Sequence, residues 1–285
     1  MSINSDYMFG TGAWTAQPRQ YIVSLYGLYG PRDNNWLPVS AIIRLLGLLD
    51  VDAQSVRSSI SRLKRREVVT PRRVNGVAGY ALKEDRAQIM IQGDERIFGQ
   101  YRASVDDGWI LVGFSVPESE RDRRHLLRSN LGQRGFGTVA PGLWIAPAHL
   151  RDETVAMLED LQLEEYVEVF TGGYLGLGEL QERARNWWDF DQLETVYQEF
   201  IDRNSGLRAR PGRRAGDFGE IAFARYVTIV TEWRRLPFAD PGLPLEIVGK
   251  DWIGLRAQRL FTELRATYDQ PARDYARSVI EECSR

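Results

Sequence analysis

Residues 36–82 show the clearest pattern of hydrophobic and polar positions in the chain. Residues 37–49 carry a broad apolar face and predict a helix that is buried along that face. Residues 52–66 carry one narrow apolar stripe and predict a second helix, most of whose surface faces solvent. The stripe consists of Val56, Ile60 and Leu63. Because only a short turn separates the two helices, the pattern predicts a helix-turn-helix.

A hairpin is predicted directly after the second helix. β-Branched residues lie on both sides of Asn75-Gly76, and this dipeptide favours the two-residue turn whose central residues both have positive φ. Residues 68–82 are therefore expected to form two antiparallel strands. A hairpin that follows a helix-turn-helix is a wing, so the sequence predicts a winged helix-turn-helix.

The polar face of the second helix carries side chains suited to reading DNA. Arginine can fork to a guanine edge, glutamine can pair with adenine, and serine can reach a base or a phosphate. The hairpin adds two arginines within reach of phosphates. The residues expected to bind DNA are Gln54, Arg57, Ser58, Ser61, Arg62, Lys64, Arg65, Arg66, Arg72 and Arg73. The alternative interpretation is a solvated basic face on an ordinary surface helix.

Charge is unevenly distributed along the chain. The 285 residues include 37 basic and 39 acidic side chains, which gives a formal net charge of −2. Residues 1–92 contain 12 basic and 7 acidic residues, whereas the remainder contains 25 and 32. The segment from Gln54 to Arg73 alone holds seven basic residues against one acid, Glu67. This local positive charge favours a nucleic-acid partner although the whole chain is acidic.

Residues 99–178 show a different order of elements. The pattern is strand, helix, strand, strand, helix, strand, which predicts a ferredoxin-like βαββαβ domain. The second helix is expected to bury Val155, Leu158 and Leu161. The predicted strands are residues 109–117, 135–139, 143–146 and 166–170, and the predicted helices are residues 118–134 and 151–163.

The two ends of the chain complete the outline. Residues 1–17 have no periodicity and predict a flexible arm, and residues 18–30 predict a supporting helix for the winged domain. From residue 179 onward the pattern is helical. The predicted C-terminal elements are helices at 179–203 and 217–236, a proline-broken connection at 237–248, and a final pair of helices within 251–283 that is divided near Pro271.

Composition excludes several kinds of site. The single cysteine, Cys283, excludes an internal disulfide framework and a cysteine-rich zinc site, and only His125 and His149 remain as imidazole ligands. We therefore expect no metal and no cofactor. No apolar run approaches the length that spans a bilayer, and the first 18 residues lack the basic start and apolar core of a signal peptide. The sequence thus predicts a cytoplasmic protein that does not enter a membrane.

Enzyme chemistry finds little support in the residues. No nucleophile with its base, paired carboxylates or histidine and cysteine cluster occurs at a recognisable spacing, so we expect no catalytic residues. Residues 172–178 are rich in glycine, but they lack the Lys-Ser/Thr ending of a phosphate-binding loop and are interpreted as a turn between domains. The alternative function is an enzyme, nuclease-like or nucleotide-binding, that carries an accessory winged-helix domain.

Five short motifs occur in an order that resembles a known family. The motifs are Leu37–Leu46, Ser55–Leu63, Phe114–Glu118, Gly142–Pro147 and Asp240–Pro244. In this order they resemble the PaaX-type repressors of phenylacetate catabolism, and the resemblance covers nearly the whole chain. It implies an α+β regulator with a winged helix-turn-helix at residues 18–98, a ferredoxin-like middle domain at 99–178 and a helical C-terminal domain at 179–285.

The resemblance also implies how such a regulator works. A repressor of this family is expected to bind double-stranded DNA and to be relieved by an aryl-CoA thioester such as phenylacetyl-CoA. Because one winged domain reads only a few base pairs, we expect a homodimer on an inverted-repeat operator.

A thioester effector requires cations for its phosphates and an apolar pocket for its acyl group. The predicted effector-binding residues are Arg121, Arg124, Arg128 and Arg134 in the middle domain, with Trp187, Trp188 and Trp233 in the C-terminal domain. The alternative interpretation is that these arginines pair with Glu118, Glu120 and Asp122 on a solvated helix and that the tryptophans fill the core.

The middle domain further resembles the small ferredoxin-like nucleases of CRISPR adaptation. In those nucleases the first strand ends in an acidic metal ligand, whereas the corresponding position here is Ser115. A neutral hydroxyl does not hold a divalent cation as a carboxylate does. Nuclease activity is therefore not expected, and the domain is interpreted as a dimerisation or spacing unit.

Overall fold

The computed structural model describes residues 16–30, 35–99, 102–176, 178–208 and 218–285. The predicted flexible arm therefore lies outside the described residues, except for its last two positions. The chain divides into two compact units. We call them the terminal unit, which contains described residues 16–99, 200–234 and 258–285, and the central unit, which contains described residues 102–199 and 235–257. In its main elements the fold is mixed α and β, as predicted.

Three helices and a small sheet form the N-terminal part of the terminal unit. Helices α1 (Pro18–Tyr29), α2 (Val39–Gly47) and α3 (Ala53–Arg65) pack against one another. Strands β1 (Trp36–Pro38), β2 (Val69–Val74) and β3 (Val77–Leu82) form an antiparallel sheet in the order β1-β3-β2. Helix α4 (Glu84–Phe98) follows. The two helices and the hairpin predicted from the pattern are thus confirmed.

The start of the predicted helix at 37–49 is wrong. Residues Trp36–Pro38 are extended, all three are buried, and they pair with β3 through Leu37 opposite Tyr80. The reason is Pro38, because a proline disfavours helical geometry in the residue before it. Pro38 itself has a ψ of 140° and becomes the N-cap of α2. The helix ends at Gly47, two residues before the predicted end.

Helices from the second half of the chain complete the terminal unit. They are the last part of α8 (Phe190–Asn204), α9 (Phe218–Trp233) and most of α12 (Ile253–Cys283). Helix α9 packs along α1, where the buried hydroxyl groups of Thr231 and Ser24 are hydrogen-bonded to each other at 2.7 Å. The Trp233 indole donates to the carbonyl of Ile97, and Arg273 donates to the carbonyl of Leu28. These C-terminal helices therefore share a core with the N-terminal ones.

Helix α12 is continuous through Pro271, so the predicted division into two helices is wrong. Proline in a helix interior removes one backbone hydrogen bond and costs about 3 kcal/mol. The apolar stripe continues across it, with Leu264 and Tyr268 buried before the proline and Ala272 and Ala276 buried after it. We attribute the continuity to this uninterrupted packing, which offsets the cost.

The central unit contains a four-stranded sheet with helices packed on it. Its strands β4 (Trp109–Phe114), β5 (Gly137–Ala140), β6 (Leu143–Pro147) and β7 (Val167–Gly172) are antiparallel in the order β5-β6-β4-β7. Helix α5 (Arg121–Gln133) follows β4, and α6 (Arg151–Asp160) follows β6. The predicted order of the six elements is confirmed.

The buried side of α6 differs from the prediction. Val155 is 38% exposed, whereas Thr154 is fully buried together with Met157 and Leu158. A threonine can occupy a core position here because its hydroxyl donates to the carbonyl of Leu150 at 2.6 Å. Because the hydroxyl hydrogen of Thr154 is bonded to this carbonyl, the side chain can be buried without an unpaired donor.

The predicted helix at 179–203 is two helices, α7 (Leu180–Trp187) and α8. The break occurs at Trp188, which is extended and buried. Its indole N–H donates to the carbonyl of Gly135 at 2.8 Å, and its ring lies so close to Gly137 that a Cβ there would come within 2.7 Å. Asp189 then begins α8 by accepting from the backbone N–H of Gln192. The tertiary contacts of Trp188 therefore interrupt the helix that the sequence pattern predicts.

The proline-rich segment of the central unit is held by a buried carboxylate. It contains the short helices α10 (Leu236–Ala239) and α11 (Leu245–Val248), and Asp240 directly follows α10. The Asp240 carboxylate accepts from the Trp252 indole at 3.0 Å and the Tyr197 hydroxyl at 3.1 Å, and it pairs with Arg102 at 3.3 Å. Burial opposes its ionisation, but Arg102 and these hydrogen bonds outweigh burial, so the pKa of Asp240 lies below its usual range.

Among the helices of the described ranges, none is long and apolar enough to cross a membrane.

Candidate nucleic-acid interface

Helix α3 begins with a side-chain cap. The carboxylate of Asp52 accepts from the Ser55 backbone N–H at 2.9 Å and from the Ser55 hydroxyl at 2.6 Å. These hydrogen bonds from Ser55 lower the pKa of Asp52 below its ordinary value. The cap satisfies a backbone donor that the first turn of a helix leaves open. It therefore marks where the helix starts.

The buried stripe of α3 anchors the helix against the terminal unit. Val56, Ile60 and Leu63 are buried, as predicted, together with the small Ser59. Every predicted DNA-binding residue of this segment is exposed. These exposed residues are Gln54, Arg57, Ser58, Ser61, Arg62, Lys64, Arg65 and the C-cap Arg66. The helix thus presents a polar, basic surface opposite the stripe.

The hairpin turn has the geometry that its sequence predicts. Asn75 and Gly76 have φ values of 51° and 81°, and Val74 pairs with Val77 across the turn. The exposed Arg72 and Arg73 lie on β2. Arg73 folds back, and its Nη1 donates to the carbonyl of Gly76 at 3.0 Å. The arginines of the wing are therefore carried by a regular two-stranded ribbon.

Trp36 supports the hairpin from the neighbouring strand. Its indole N–H donates to the carbonyl of Arg72 at 3.1 Å. The indole crosses β3 at Gly79, where a Cβ would lie 2.4 Å from both the Trp36 Nε1 and the Leu37 carbonyl oxygen. Only glycine leaves room for this crossing. The role of Trp36 was not predicted from the sequence, because the residues directly after it have a helical pattern.

A concavity of about 430 Å³ lies between α3 and the hairpin. Arg57 of α3 and both arginines of β2 line it. Its other lining residues are Val39, Ile60, Pro71, Ala78, Gly79 and Tyr80. The helix and the hairpin, predicted separately, thus enclose one space that three arginine residues line.

Arg19 is a further candidate residue that the sequence pattern does not indicate. It is the second residue of α1, and α1 packs against α3. Burial lowers the pKa of Arg19, and the positive charges of Arg66 and Arg62 lower it further. The three guanidinium groups are therefore close enough to interact. No local pattern indicates this, because Arg19 is distant in sequence and reaches α3 only through packing.

The exposed arginines of α3 and β2 lie apart from the described carboxylates. Within the described ranges, no carboxylate pairs with Arg57, Arg62, Arg65 or Arg72. The one acid of this segment, Glu67, pairs instead with Lys83 at 3.1 Å. The surface therefore keeps its positive charge available for a partner.

The predicted effector-binding arginines lie on or just after α5 of the central unit and have different surroundings. Arg124 pairs with Glu118 at 2.7 Å, as the alternative interpretation predicts. Arg124 also donates to the carbonyl of Val116. Arg134 pairs with Glu153 at 3.3 Å. Arg121 and Arg128 are exposed.

The three predicted effector-binding tryptophans do not belong to one unit. Trp187 and Trp188 lie in the central unit and contact each other edge to face at 5.9 Å between ring centroids, with Trp187 half-buried and Trp188 buried. Trp233 lies in the terminal unit, buried and stacked on Phe261 at 4.6 Å. Trp188 and Trp233 are therefore core residues, and the effector site stays a prediction.

Ser115, whose neutral hydroxyl argued against a nuclease metal site, directly follows β4. Ser115 is exposed, and its backbone N–H donates to the carbonyl of Tyr166 at 3.0 Å. Nearby, the Tyr166 hydroxyl donates to the carboxylate of Glu120. No cluster of three or more histidine, cysteine or carboxylate side chains that could hold a metal ion occurs in the described part of the chain.

Comparison with known proteins covers most of the chain. Three family models match: "PaaX-like protein" at residues 17–86, "PaaX protein central Cas2-like domain" at residues 102–184 and "PaaX-like protein C-terminal domain" at residues 188–278. Together these matches include α3, the hairpin and the four-stranded sheet.

Individual relatives agree with the family models. The chain is 22% identical to the transcriptional repressor PaaX of Escherichia coli K12 over 244 residues, which is 84% of this chain and 76% of that protein. Its fold is similar to that of the uncharacterised protein Rv0674 from Mycobacterium tuberculosis, with a TM-score of 0.56, 18% identity and coverage of 90% of this chain and 97% of that one. The chain therefore belongs to the PaaX family.

Proposed function

We propose that this protein is a DNA-binding transcriptional repressor whose recognition helix is α3. The observation that carries the proposal is the exposed basic face of α3 beside a hairpin with two exposed arginines. Similarity to a transcriptional repressor along most of the chain supports it. In this arrangement α3 enters the major groove and β2–β3 is the wing.

We further propose a ferredoxin-like middle domain between residues 99 and 178. A sheet in the order β5-β6-β4-β7 with one helix after β4 and another after β6 supports that assignment, as does the match to a Cas2-like domain. With it we propose the winged domain at residues 18–98 and the helical C-terminal domain at residues 179–285. The protein has no catalytic role in this proposal, because Ser115 replaces the acid of the nucleases.

The repressor is proposed to act in the cytoplasm as a homodimer on an inverted repeat. Two-fold symmetry places two α3 helices in major grooves that are one helical turn, or a multiple of one, apart. Light scattering combined with footprinting tests this arrangement. A monomer that protects one asymmetric half-site would contradict it.

DNA recognition is tested first by selecting duplexes from a random pool with the full-length protein. The Arg65→Ala variant should bind the selected duplex more weakly by about 1–3 kcal/mol, because it loses a base-directed cation, while its thermal unfolding is unchanged. Arg259→Ala serves as a matched control, since Arg259 is exposed on α12. The proposal fails if the pool yields no preferred sequence, or if Arg65→Ala binds it like the wild type.

The effector is proposed to be an aryl-CoA thioester that releases the DNA. Titration calorimetry with phenylacetyl-CoA, phenylacetate and CoA, followed by DNA-binding measurements in the presence of each, tests this part separately. If none of the three binds, or if binding leaves DNA affinity unchanged, the effector belongs to another chemical class. The DNA-binding proposal is unaffected by that outcome.

A further inference from the structure

Helix α2, which precedes the recognition helix, carries a single cation, Arg44. Its guanidinium Nη1 lies 2.6 Å from the carboxylate Oε2 of Glu282, in the last turn of α12. Both residues belong to the terminal unit, and their side chains are 50% and 58% exposed. The cation of α2 is therefore held by an acid that lies 238 residues further along the chain.

Other groups of α12 lie near the same guanidinium. The hydrogen bond to Glu282 and the charge of Glu282 raise the pKa of Arg44, and Tyr275 and Cys283 are close enough to contribute. Glu281, beside Glu282, is a second exposed acid. The last turns of α12 thus bring negative charge to the exposed side of α2.

The first turn of α2 borders the proposed DNA surface. Val39, the first residue of α2, lines the concavity between α3 and the hairpin. Ser40 and Arg44 are exposed and four residues apart, so they share one face of the helix. In a helix-turn-helix bound to DNA, the first helix crosses the phosphate backbone. A guanidinium on this face can therefore bind either the carboxylate of Glu282 or a DNA phosphate.

We propose that the last turn of α12 restrains DNA binding, because Glu282 competes with a DNA phosphate for Arg44. The inference rests on the proposed DNA-binding function and adds a means of regulating it. DNA that approaches α2 has to separate the ion pair and then lies close to two acids. The α3 arginines named above have no such competitor among the described carboxylates. Displacement of this end of α12 from α2 therefore raises the DNA affinity.

The test compares the DNA affinity of the full-length protein with that of Glu282→Gln at several salt concentrations. Fluorescence anisotropy is recorded with a labelled duplex selected from a random pool. Glu282→Gln should bind the duplex about two- to fivefold more tightly, which is the range expected when an exposed ion pair no longer has to be separated. The slope of log affinity against log salt should steepen by at most about 0.9, the value for one phosphate contact. Thermal unfolding shows whether each protein remains folded.

Two further measurements separate this competition from a general effect of charge. Glu281→Gln removes an exposed charge from the same turn of α12 and should leave the affinity unchanged. In the Arg44→Gln background, Glu282→Gln should no longer tighten binding, because the cation for which Glu282 competes is absent.

The possible failures are distinguishable. If the wild type binds no duplex, the proposed function itself fails. If the wild type binds and Glu282→Gln leaves the affinity unchanged or lowers it, only the restraint fails. Tightening that is equal in Glu281→Gln, or that persists without Arg44, would show a general effect of negative charge and would also overturn the restraint.

Discussion

The arginines of the DNA face and those of the central unit are the same residue type in opposite situations. On α3 and β2 the guanidinium groups are exposed and no described carboxylate neutralises them. In the central unit Arg102 pairs with the buried Asp240, and Arg124 pairs with Glu118. Both regions are rich in arginine, so composition does not distinguish them. The position of the acids does, because a paired cation contributes to folding and an unpaired one remains available to a ligand.

The largest effect is expected where an internal pair is buried. Arg102→Met leaves the Asp240 carboxylate, 3% exposed, without its cation. Removal of one partner from a buried ion pair costs about 3–5 kcal/mol of unfolding free energy. Chemical denaturation measures this loss, and Arg102→Lys should recover part of it because the charge is kept. An unchanged unfolding free energy in Arg102→Met would mean that the pair does not stabilise the central unit.

The Arg102–Asp240 pair should also make the unfolding free energy depend on pH, with a smaller effect than its removal. Burial raises the pKa of Asp240, but Arg102 and the hydrogen bonds from Trp252, Gly242 and Tyr197 outweigh it, so the folded-state pKa lies below the unfolded value. A depressed acid pKa stabilises the fold above the unfolded pKa of about 4 and loses that contribution as pH falls through the folded value. Unfolding measured from neutral pH downward should therefore show an acid-side loss of stability. The loss should be shallower in Arg102→Met, and identical profiles would contradict the assignment.

Substitutions of exposed arginines in the two regions should have different effects on DNA affinity but the same negligible effect on stability. Arg62→Gln on α3 should weaken binding to a selected duplex by about 1–3 kcal/mol, whereas Arg128→Gln, at a position of α5 that is also exposed, should change it by less than about 0.5 kcal/mol. Neither substitution should alter thermal unfolding. Anisotropy titrations in the absence of any effector compare the two, and similar losses in both would remove the distinction between the regions.

The smallest effect is expected for the paired arginine on α5. The Arg124 side chain is 35% exposed and its partner Glu118 is 80% exposed, so the pair is screened by water. Such pairs contribute roughly 0–1 kcal/mol. Glu118→Gln should therefore change the unfolding free energy by less than about 1 kcal/mol, and less at high salt. A loss of unfolding free energy as large as that of Arg102→Met would show that the exposed pair stabilises the fold as much as the buried one.

Several features of the interface could be predicted because they depend on neighbouring residues. The apolar stripe of Val56, Ile60 and Leu63, the Asp52 cap and the Asn75-Gly76 turn each act within a few positions of the chain. The order of elements in the central unit follows the same rule, because strand and helix periodicities are local. The exposed polar face of α3 could be predicted for that reason.

Tertiary structure decided the features that join distant segments. A helical pattern is interrupted at Trp188 because its indole donates to the carbonyl of Gly135, and a proline is retained inside α12 because packing continues on both sides. In the same way, α9 and most of α12 share a core with α1, and α1 brings Arg19 near the arginines of α3. Periodicity predicts which face of a helix is buried. It does not state which element covers that face, because the covering element lies far away in the chain.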